Sequence, residues 1–350
     1  MEIRNKRKAD HLALAPKTAE GPLTNGFEDV FLLPDSVPEL ALAEIDLSTE
    51  FLGKKLHYPL LINALTGGTE EAQRINSALG TLAARYGLAM AVGSMTIAFE
   101  DRAALQSFEI VRQVNPQGII LANCGADVKP QLACQAVEMI GADALQLHFN
   151  IPQELAMPEG DRDFRGVLDN VVNIVAISPV PVIAKEVGFG MTAETVERLY
   201  SAGIKIFDNG GSGGTNFIAI EDQRGGKFQH QLDEWGIPTA ISLAEIINLG
   251  LPVKVVASGG IRSSLDVAKA LAMGADLVGI AGYFLNILLQ NGALQLENSI
   301  ESLLYQLRSV FLMSGARDCQ ALRTKPVVLC GRTAEWLRSR RIDPGLWSHR

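Results

Sequence analysis

The chain has 350 residues, 47% of them hydrophobic and 20% charged, which is enough apolar material for two average domains or for one barrel with extensions. Its formal net charge of -8 argues against nucleic acid as a partner, because nucleic-acid-binding surfaces are basic. The four cysteines lack metal-binding spacing, the amino terminus does not resemble a signal peptide and no apolar run is long enough to span a membrane, so we predict a cytoplasmic protein with reduced thiols and no membrane partner.

The first 22 residues are polar, and their cations include Arg7, Lys8 and His11. A basic run at a terminus is usually a solvated tail. The alternative is a mobile arm that brings cations to an anionic substrate. Residues 23–58 contain short apolar pieces without a regular pattern and are predicted to lead into the main fold.

From residue 59 onward, short apolar runs that end in Gly, Asn, Ser or Thr alternate with stretches of helical spacing. The runs predict eight strands, at 60–64, 89–93, 119–123, 144–150, 182–186, 204–209, 253–258 and 277–281. The helical patterns cover 72–86, 129–140, 193–202, 241–248 and 264–272, and 299–313 is predicted to be a closing helix. Near-continuous apolar strands that alternate with helices indicate parallel βαβ units. Eight such units within about 220 residues match a (β/α)8 barrel better than an open Rossmann sheet, and the fingerprint GxGxxG is absent from the first turn.

We therefore predict the α/β fold class and a single TIM-barrel domain over residues 1–350. Residues 1–58 would form the amino-terminal arm and lead-in, 59–315 the barrel, and 316–350 a carboxy-terminal tail. A long insertion at 215–238 is predicted after the sixth strand. In such a barrel the active site lies at the carboxyl ends of the strands.

The fourth predicted strand has a polar face, because Gln146, His148 and Asn150 alternate with apolar side chains and residues two apart share a face. In a half-buried strand such a face usually points to water, whereas in an enzyme barrel it can point inward to a ligand. Gln153 and Glu154 follow at a loop or helix start. Neutral amides suit phosphate oxygens or an uncharged alkenyl group. On its own, His148 would more often be a core histidine, and Glu154 is either a Mg²⁺ ligand or a carboxylate favoured by a helix amino terminus.

Glycine-rich loops follow the last three predicted strands, at Gly210–Thr215, Ser258–Arg262 and Ala281–Gly282. Backbone N–H groups can approach a phosphate closely there, because little side chain intervenes. A single glycine pair would indicate only a tight turn. Three glycine loops at consecutive strand ends favour a phosphate site, which in these barrels forms after strands seven and eight.

Lys185 lies near the end of the fifth predicted strand, and burial of its ammonium is costly without an anion nearby. It could be a Schiff-base nucleophile, an acid or base, or a cation beside an electron-rich ring. The structural alternative is a salt bridge with the neighbouring Glu186.

Several motifs match those of one known family: RKADH at Arg7–His11, ALTGG at Ala64–Gly68, HFNIPQE at His148–Glu154, KEVGFG at Lys185–Gly190, and the loops Gly210–Thr215 and Ser258–Arg262. On these motifs the chain resembles the type 2 isopentenyl-diphosphate isomerases, which are FMN-dependent enzymes, over nearly its whole length. The arm and the HxNxxQE stretch are the most diagnostic motifs, since other flavin barrels share the glycine loops. The chain departs from the family at Leu65, where Met is usual, and at Thr96, where many members carry a basic residue.

The resemblance implies a role for each matched position. The substrate, mostly through its diphosphate, would contact Arg7, Lys8, His11, His148, Asn150 and Gln153. The FMN would be lined by Ala64, Leu65, Thr66, Ser94, Asn123, Lys185, Gly210, Thr215, Gly260, Ile261, Arg262, Ala281 and Gly282. Glu154 would hold Mg²⁺, and Gln153 would be the catalytic residue that orients or relays the second proton.

The reaction implied by the resemblance is the isomerisation of isopentenyl diphosphate to dimethylallyl diphosphate by a 1,3-proton shift, a step of isoprenoid biosynthesis without net redox change. Reduced FMN would act as acid and base, NADPH would prime it, and Mg²⁺ would be a further cofactor. The protein would be a homo-oligomer, either a tetramer or an octamer. This assignment accounts for a redox cofactor in a site that has no obvious carboxylate pair for acid/base chemistry.

Two other functions are weighed against this one. An FMN-dependent 2-hydroxy-acid oxidase or dehydrogenase needs a base and a carboxylate-binding arginine near the flavin, but the nearest arginine is Arg262 and no histidine lies at the seventh strand end. A non-catalytic phosphate- or flavin-binding barrel would not need Glu154 next to His148.

Overall fold

The computed structural model describes Asp10, Leu14 and residues 21–350, and a closed barrel of eight parallel strands forms its centre. The strands are β1 (Val30–Leu32), β2 (Thr49–Phe51), β3 (Lys54–Leu56), β4 (Leu60–Ile62), β5 (Ala89–Ala91), β6 (Ile120–Gly125), β7 (Ala144–Phe149), β8 (Val182–Glu186), β9 (Ile206–Asp208), β10 (Lys254–Ser258), β11 (Leu277–Ile280) and β12 (Val327–Leu329). Strands β4 to β11 pair in chain order, and β11 closes the barrel against β4. These eight strands lie where the apolar runs predict them, so the predicted α/β TIM barrel is confirmed.

Helices surround the barrel. They are α1 (Glu70–Tyr86), α2 (Arg102–Val114), α3 (Pro130–Ile140), α4 (Ile151–Ala156), α5 (Val167–Ile177), α6 (Ala193–Ser201), α7 (Phe217–Gln223), α8 (Thr239–Asn248), α9 (Ser264–Met273), α10 (Gly282–Met313), α11 (Cys319–Arg323), α12 (Gly331–Ser339) and α13 (Gly345–Ser348). Several begin at a side-chain cap, such as Thr69 before α1 and Ser263 before α9, whose hydroxyls accept a backbone N–H of the first turn. The helix α10 is longer than the predicted closing helix, and it bends at Gly292, where the backbone leaves the helical conformation. Among the described residues, no helix is both long and apolar enough to cross a membrane.

The barrel interior is filled in layers. An apolar layer contains one inward-facing side chain from most strands, for example Leu61, Leu121, Ile183 and Val256. The hairpin of β2 and β3 adds Phe51 and Leu56 to this cluster and so covers the amino-terminal end of the barrel. The carboxyl end is therefore the side left for a ligand.

The carboxy-terminal residues after α10 form ordered elements that pack on the barrel. Strand β12 pairs antiparallel with β1 of the lead-in, with Val30 opposite Leu329. Trp347 is 1% exposed, and its Nε1 donates a hydrogen bond to the Met273 carbonyl at 3.0 Å. The segment predicted as a tail thus contributes a buried aromatic side chain to the outside of α9.

Replacing Trp347 with alanine is expected to lower the free energy of unfolding by about 3–5 kcal/mol, because it opens a cavity and leaves the Met273 carbonyl without its donor. The adjacent Leu346→Ala is the matched control, since Leu346 is 53% exposed and its loss should cost little. Urea unfolding followed by far-ultraviolet circular dichroism, which does not depend on the removed tryptophan, measures the stability of both variants. Equal midpoints for the two variants would show that the carboxy-terminal segment does not stabilise the barrel.

Candidate active site

A cavity of about 730 Å³ opens at the carboxyl ends of the barrel strands. Every predicted site residue in the described part of the chain lines it. They are Ala64, Leu65, Thr66, Ser94, Asn123, His148, Asn150, Gln153, Glu154, Lys185, Gly210, Thr215, Gly260, Ile261, Arg262, Ala281 and Gly282. Arg7, Lys8 and His11 of the predicted substrate arm lie outside the described residues. The structure thus brings the polar stretch of β7 and the glycine loops of the last three barrel strands to one space.

The glycine loops pack backbone against backbone at one side of the cavity. A Cβ atom on Gly214 would lie 2.6 Å from the Gly260 nitrogen, so only glycine fits between the loops after β9 and β10. Arg262 ties the same loops together, because its guanidinium donates to the carbonyls of Gly260 at 2.8 Å and Gly213 at 2.6 Å. The main chain therefore forms this wall of the cavity, an arrangement suited to phosphate binding.

A layer of buried polar residues forms the cavity floor, directly above the apolar layer of the barrel. On six strands the residue two positions after an inward apolar side chain is polar, which places it on the same inward face. These residues are Asn63, Asn123, Gln146, Lys185, Asp208 and Ser258. Reading each strand two residues past its inward apolar position would have found this layer in the sequence.

Asp208 is the centre of the polar layer and is fully buried. Its Oδ2 accepts hydrogen bonds from Asn63 Nδ2 at 2.7 Å, Lys185 Nζ at 3.0 Å and Gln146 Nε2 at 3.3 Å, and its Oδ1 accepts one from the Ser258 hydroxyl. A carboxylate with this set of donors is well satisfied despite its burial. Asp208 is not among the site residues predicted from the sequence.

The partner of Lys185 is Asp208, not the neighbouring Glu186, so the alternative of a Lys185–Glu186 salt bridge is wrong. Glu186 Oε2 instead accepts the backbone N–H groups of Val187 at 2.6 Å, Gly188 at 2.8 Å and Phe189 at 2.6 Å. Burial raises the pKa of Glu186 to about 7, and those three N–H groups act in the opposite direction. Glu186 thus shapes the loop after β8, whereas Lys185 stays at the cavity floor as a cation paired with Asp208.

The polar stretch of β7 continues into the first turn of α4. His148 lies opposite Lys185 in the strand register, and its Nδ1 is 2.8 Å from Asn123 Oδ1. Asn150 Nδ2 donates to Glu154 Oε1 at 2.9 Å, and Glu154 Oε2 accepts the Asp161 N–H at 3.0 Å. These contacts hold the Glu154 carboxylate at the cavity, and each oxygen retains acceptor capacity for a cation.

Gln153 is held by the carboxylate of Glu221, which is likewise not among the site residues predicted from the sequence. Its Nε2 donates to Glu221 Oε1 at 3.1 Å, and Glu221 is fully buried on α7. Arg224 forms an ion pair with Glu221 and also contacts Glu159 at 3.0 Å and Asp10 at 3.2 Å. The insertion after the sixth barrel strand therefore supplies the support for Gln153 and contacts the amino-terminal arm.

Comparison with known proteins places this chain among flavin enzymes. Residues 152–329 match the model of the FMN-dependent dehydrogenase family. Among solved structures, a mandelate oxidase variant superimposes with a TM-score of 0.68 at 18% identity, covering 91% of this chain and 93% of that one. A putative lactate oxidase from Pediococcus acidilactici superimposes with a TM-score of 0.68 at 17% identity, covering 88% and 86% of the two chains. At this identity the two structures support the fold alone.

Curated relatives share far more sequence. A protein of Moorella thermoacetica named isopentenyl-diphosphate delta-isomerase is 51% identical, over 96% of this chain and 97% of the relative. Proteins of the same name from Symbiobacterium thermophilum and Bacillus licheniformis are 48% and 42% identical, over 98% and 99% of this chain. The resemblance inferred from the motifs is thereby confirmed, and the chain belongs to the isopentenyl-diphosphate delta-isomerase family of isomerases.

Proposed function

We propose that this chain converts isopentenyl diphosphate to dimethylallyl diphosphate by a 1,3-proton shift, with FMN and Mg²⁺ as cofactors and NADPH as the source of reducing equivalents. One observation carries the proposal: the polar stretch from His148 to Glu154 shares a single cavity with three glycine loops. Such a cavity can hold two phosphate-bearing molecules, one at the loops and one at the stretch. The names of the relatives support isopentenyl diphosphate as the second molecule.

The residues at the floor and the glycine wall fit FMN. The close-packed loops at Gly214 and Gly260 offer main chain to a phosphate, and Lys185 offers a cation to an electron-rich ring. The match to the FMN-dependent dehydrogenase family supports the same group. Bound and reduced, FMN would supply an electron-rich face and a proton-exchanging site for the alkene.

The chain's own residues would position the substrate and move its second proton. His148 and Asn150, with Arg7, Lys8 and His11 of the arm, would bind the diphosphate. Protonation of an alkene creates a cationic centre, and the neutral amide of Gln153 lies in the cavity without a charge that would quench it. Because Glu221 accepts from Gln153 Nε2, the amide orientation is fixed, and Gln153 would orient or relay the second proton.

Replacing Glu154 with glutamine is expected to raise the Mg²⁺ concentration needed for half-maximal activity by at least about tenfold, since even the loss of a ligand's partner typically weakens metal binding by about 10- to 100-fold. Asp161→Asn is the matched control, because Asp161 lines the same cavity but is not a predicted ligand. Activity measured against Mg²⁺ concentration separates the two. An unchanged Mg²⁺ dependence in Glu154→Gln would remove Glu154 as the ligand.

We further propose a cytoplasmic homo-oligomer, a tetramer or octamer. Phe31, Leu33 and Val37 are 49%, 46% and 73% exposed near β1, and exposed apolar side chains of this kind support contact between copies. Light scattering of the purified protein measures the oligomeric state.

The 2-hydroxy-acid oxidase alternative is less well supported by the same cavity. Such an enzyme would need Arg262 for the substrate carboxylate, but its guanidinium donates to the Gly260 and Gly213 carbonyls. Among the described residues, the histidine that lines the cavity is His148 on the fourth barrel strand.

The deciding experiment incubates FMN-loaded protein with isopentenyl diphosphate, NADPH and Mg²⁺ without oxygen, and in parallel with 2-hydroxy acids in air. Formation of dimethylallyl diphosphate supports the proposal, and turnover of a hydroxy acid by the oxidised protein would overturn it.

A further inference from the structure

A line of buried amides connects Asp208 to His148 across the barrel interior. Gln146 lies between Asp208 and Asn123, and Asn123 lies between Gln146 and His148. Gln146 is fully buried and Asn123 is 2% exposed, so their amide groups satisfy each other in the interior. An amide has a donor end and an acceptor end, so a line of amides has a direction that its fixed ends determine.

Two acceptors fix the orientation of Gln146. The backbone N–H of Ala64 donates to Asn63 Oδ1 at 2.8 Å, which makes that atom an acceptor. Asp208 Oδ2, which accepts from the Lys185 ammonium, is an acceptor as well. Gln146 Nε2 lies 3.1 Å from Asn63 Oδ1 and 3.3 Å from Asp208 Oδ2, so the amide nitrogen must point to this side. The Gln146 carbonyl oxygen must therefore point to Asn123.

The orientation of Gln146 determines that of Asn123, which in turn contacts His148. Asn123 Nδ2 donates to Gln146 Oε1 at 3.1 Å, which turns Asn123 Oδ1 towards His148 Nδ1 at 2.8 Å. An oxygen acceptor at this distance requires a proton on Nδ1. We infer that Asp208 and Asn63, acting through Gln146 and Asn123, hold neutral His148 as the Nδ1–H tautomer with the lone pair on Nε2. Gln146 and Asn123 are positioning residues in this arrangement.

The tautomer determines what His148 can offer to a ligand. Neutral His148 presents a hydrogen-bond acceptor at Nε2, and it becomes a donor there only as the imidazolium. Diphosphate oxygens are acceptors. If the proposed function is correct, which this step assumes, His148 binds diphosphate only after it takes up a proton.

Charged groups around His148 act on that protonation in both directions. Lys185, opposite His148 on β8, opposes it. Glu154 on α4 and Asp127 after β6 favour it. Asp127 lies beside His148, with Gly125 between them. A Cβ atom on Gly125 would touch Asp127 Oδ1 and lie 3.7 Å from His148 Nε2. Asp208, at the far end of the amide line, also favours it. Helix α3 packs against β7 from outside the barrel.

Nuclear magnetic resonance of the FMN-loaded protein tests the tautomer directly. Protein labelled with ¹⁵N and ¹³C in its 5 histidines is titrated until His148 is neutral, and His148 is assigned by the loss of its signals in His148→Gln. We expect Nδ1 to have the shift of a protonated nitrogen and Nε2 the strongly downfield shift of an unprotonated one. The opposite assignment would overturn the inference.

Variants test the amide line itself. Gln146→Met keeps the volume but removes the bridge, so Asn123 becomes free to turn, and we expect His148 to lose its uniform Nδ1–H signature. Ser242→Ala removes a buried hydroxyl that bonds Met191 outside this line and should leave the His148 signals unchanged. A retained Nδ1–H signature in Gln146→Met would show that Gln146 does not set the tautomer.

Addition of inorganic diphosphate separates this inference from the proposed function. We expect both His148 nitrogens to shift to the imidazolium position when diphosphate binds at a pH where the free protein has neutral His148. If the free protein has the Nδ1–H tautomer but diphosphate leaves the His148 signals unchanged, the proposed substrate contact fails while the tautomer assignment stands.

Discussion

Replacement of Gln153 with alanine is expected to lower kcat by about 10²- to 10⁴-fold, the usual contribution of a positioned proton-transfer group. Gln153 is only 8% exposed and lies in the cavity with its amide nitrogen bonded to Glu221 at 3.1 Å. Its loss removes the group that would orient or relay the second proton. FMN affinity should change little, because the glycine loops and Lys185 lie on other strands.

The control is Gln135→Ala, an identical change on the exposed side of α3. Steady-state kinetics give kcat and KM, and FMN titration of the apoprotein gives the cofactor affinity. An unchanged kcat in Gln153→Ala would exclude Gln153 from proton transfer. A loss of FMN affinity equal to the loss of activity would instead indicate that the variant has disturbed the cavity as a whole.

Replacement of Lys185 with methionine is expected to lower the free energy of unfolding by about 3–5 kcal/mol, because it leaves the buried Asp208 carboxylate without its cation. The side chains of the pair are 9% and 0% exposed, so the carboxylate left without its cation is a buried one. The variant should also bind FMN more weakly, since the cavity floor loses its positive charge. Urea unfolding and FMN titration measure the two effects.

A double-mutant cycle with Asp208→Asn shows whether the pair acts as a unit. Lys185→Met together with Asp208→Asn should cost less than the sum of the single changes, because each single change leaves a buried charge without its partner and the double change leaves none. The surface pair Arg74–Glu70 on α1 is the control, with side chains 76% and 79% exposed, and Arg74→Met should cost less than about 1 kcal/mol. Additive costs in the buried cycle would show that Lys185 and Asp208 stabilise the protein independently.

The barrel could be predicted because each of its strands has a recognisable pattern in the local sequence. A strand buried on both faces is a continuous apolar run, and each of the eight runs here overlaps one strand of the barrel. The predicted ends of the strands were less accurate. The first barrel strand was predicted at 60–64, but β4 ends at Ile62, because Asn63 Oδ1 accepts the Ala64 N–H and the chain begins to turn there. The pairing of β1 with β12 joins residues about 300 positions apart, and no local pattern reports such a contact.

In the candidate site, too, some residues could be predicted from the local sequence and others could not. Residues that face the cavity from strand ends were predictable, because polar and glycine residues at those ends break the apolar pattern. The partners of buried groups were not, since they depend on which strands and insertions meet in three dimensions. From the sequence, the obvious partner of Lys185 is therefore its neighbour Glu186, whereas the barrel brings Lys185 next to Asp208. Glu221 likewise reaches Gln153 only because α7 packs against α4, which carries Gln153.

The ratio of product formed to NADPH consumed tests the central claim most directly. FMN-loaded protein is given isopentenyl diphosphate, Mg²⁺ and a small amount of NADPH without oxygen, and dimethylallyl diphosphate and NADPH are quantified together. A 1,3-proton shift leaves the flavin reduced, so the account predicts many product molecules for each NADPH oxidised. One NADPH consumed for each product, or no dimethylallyl diphosphate at all, would contradict it.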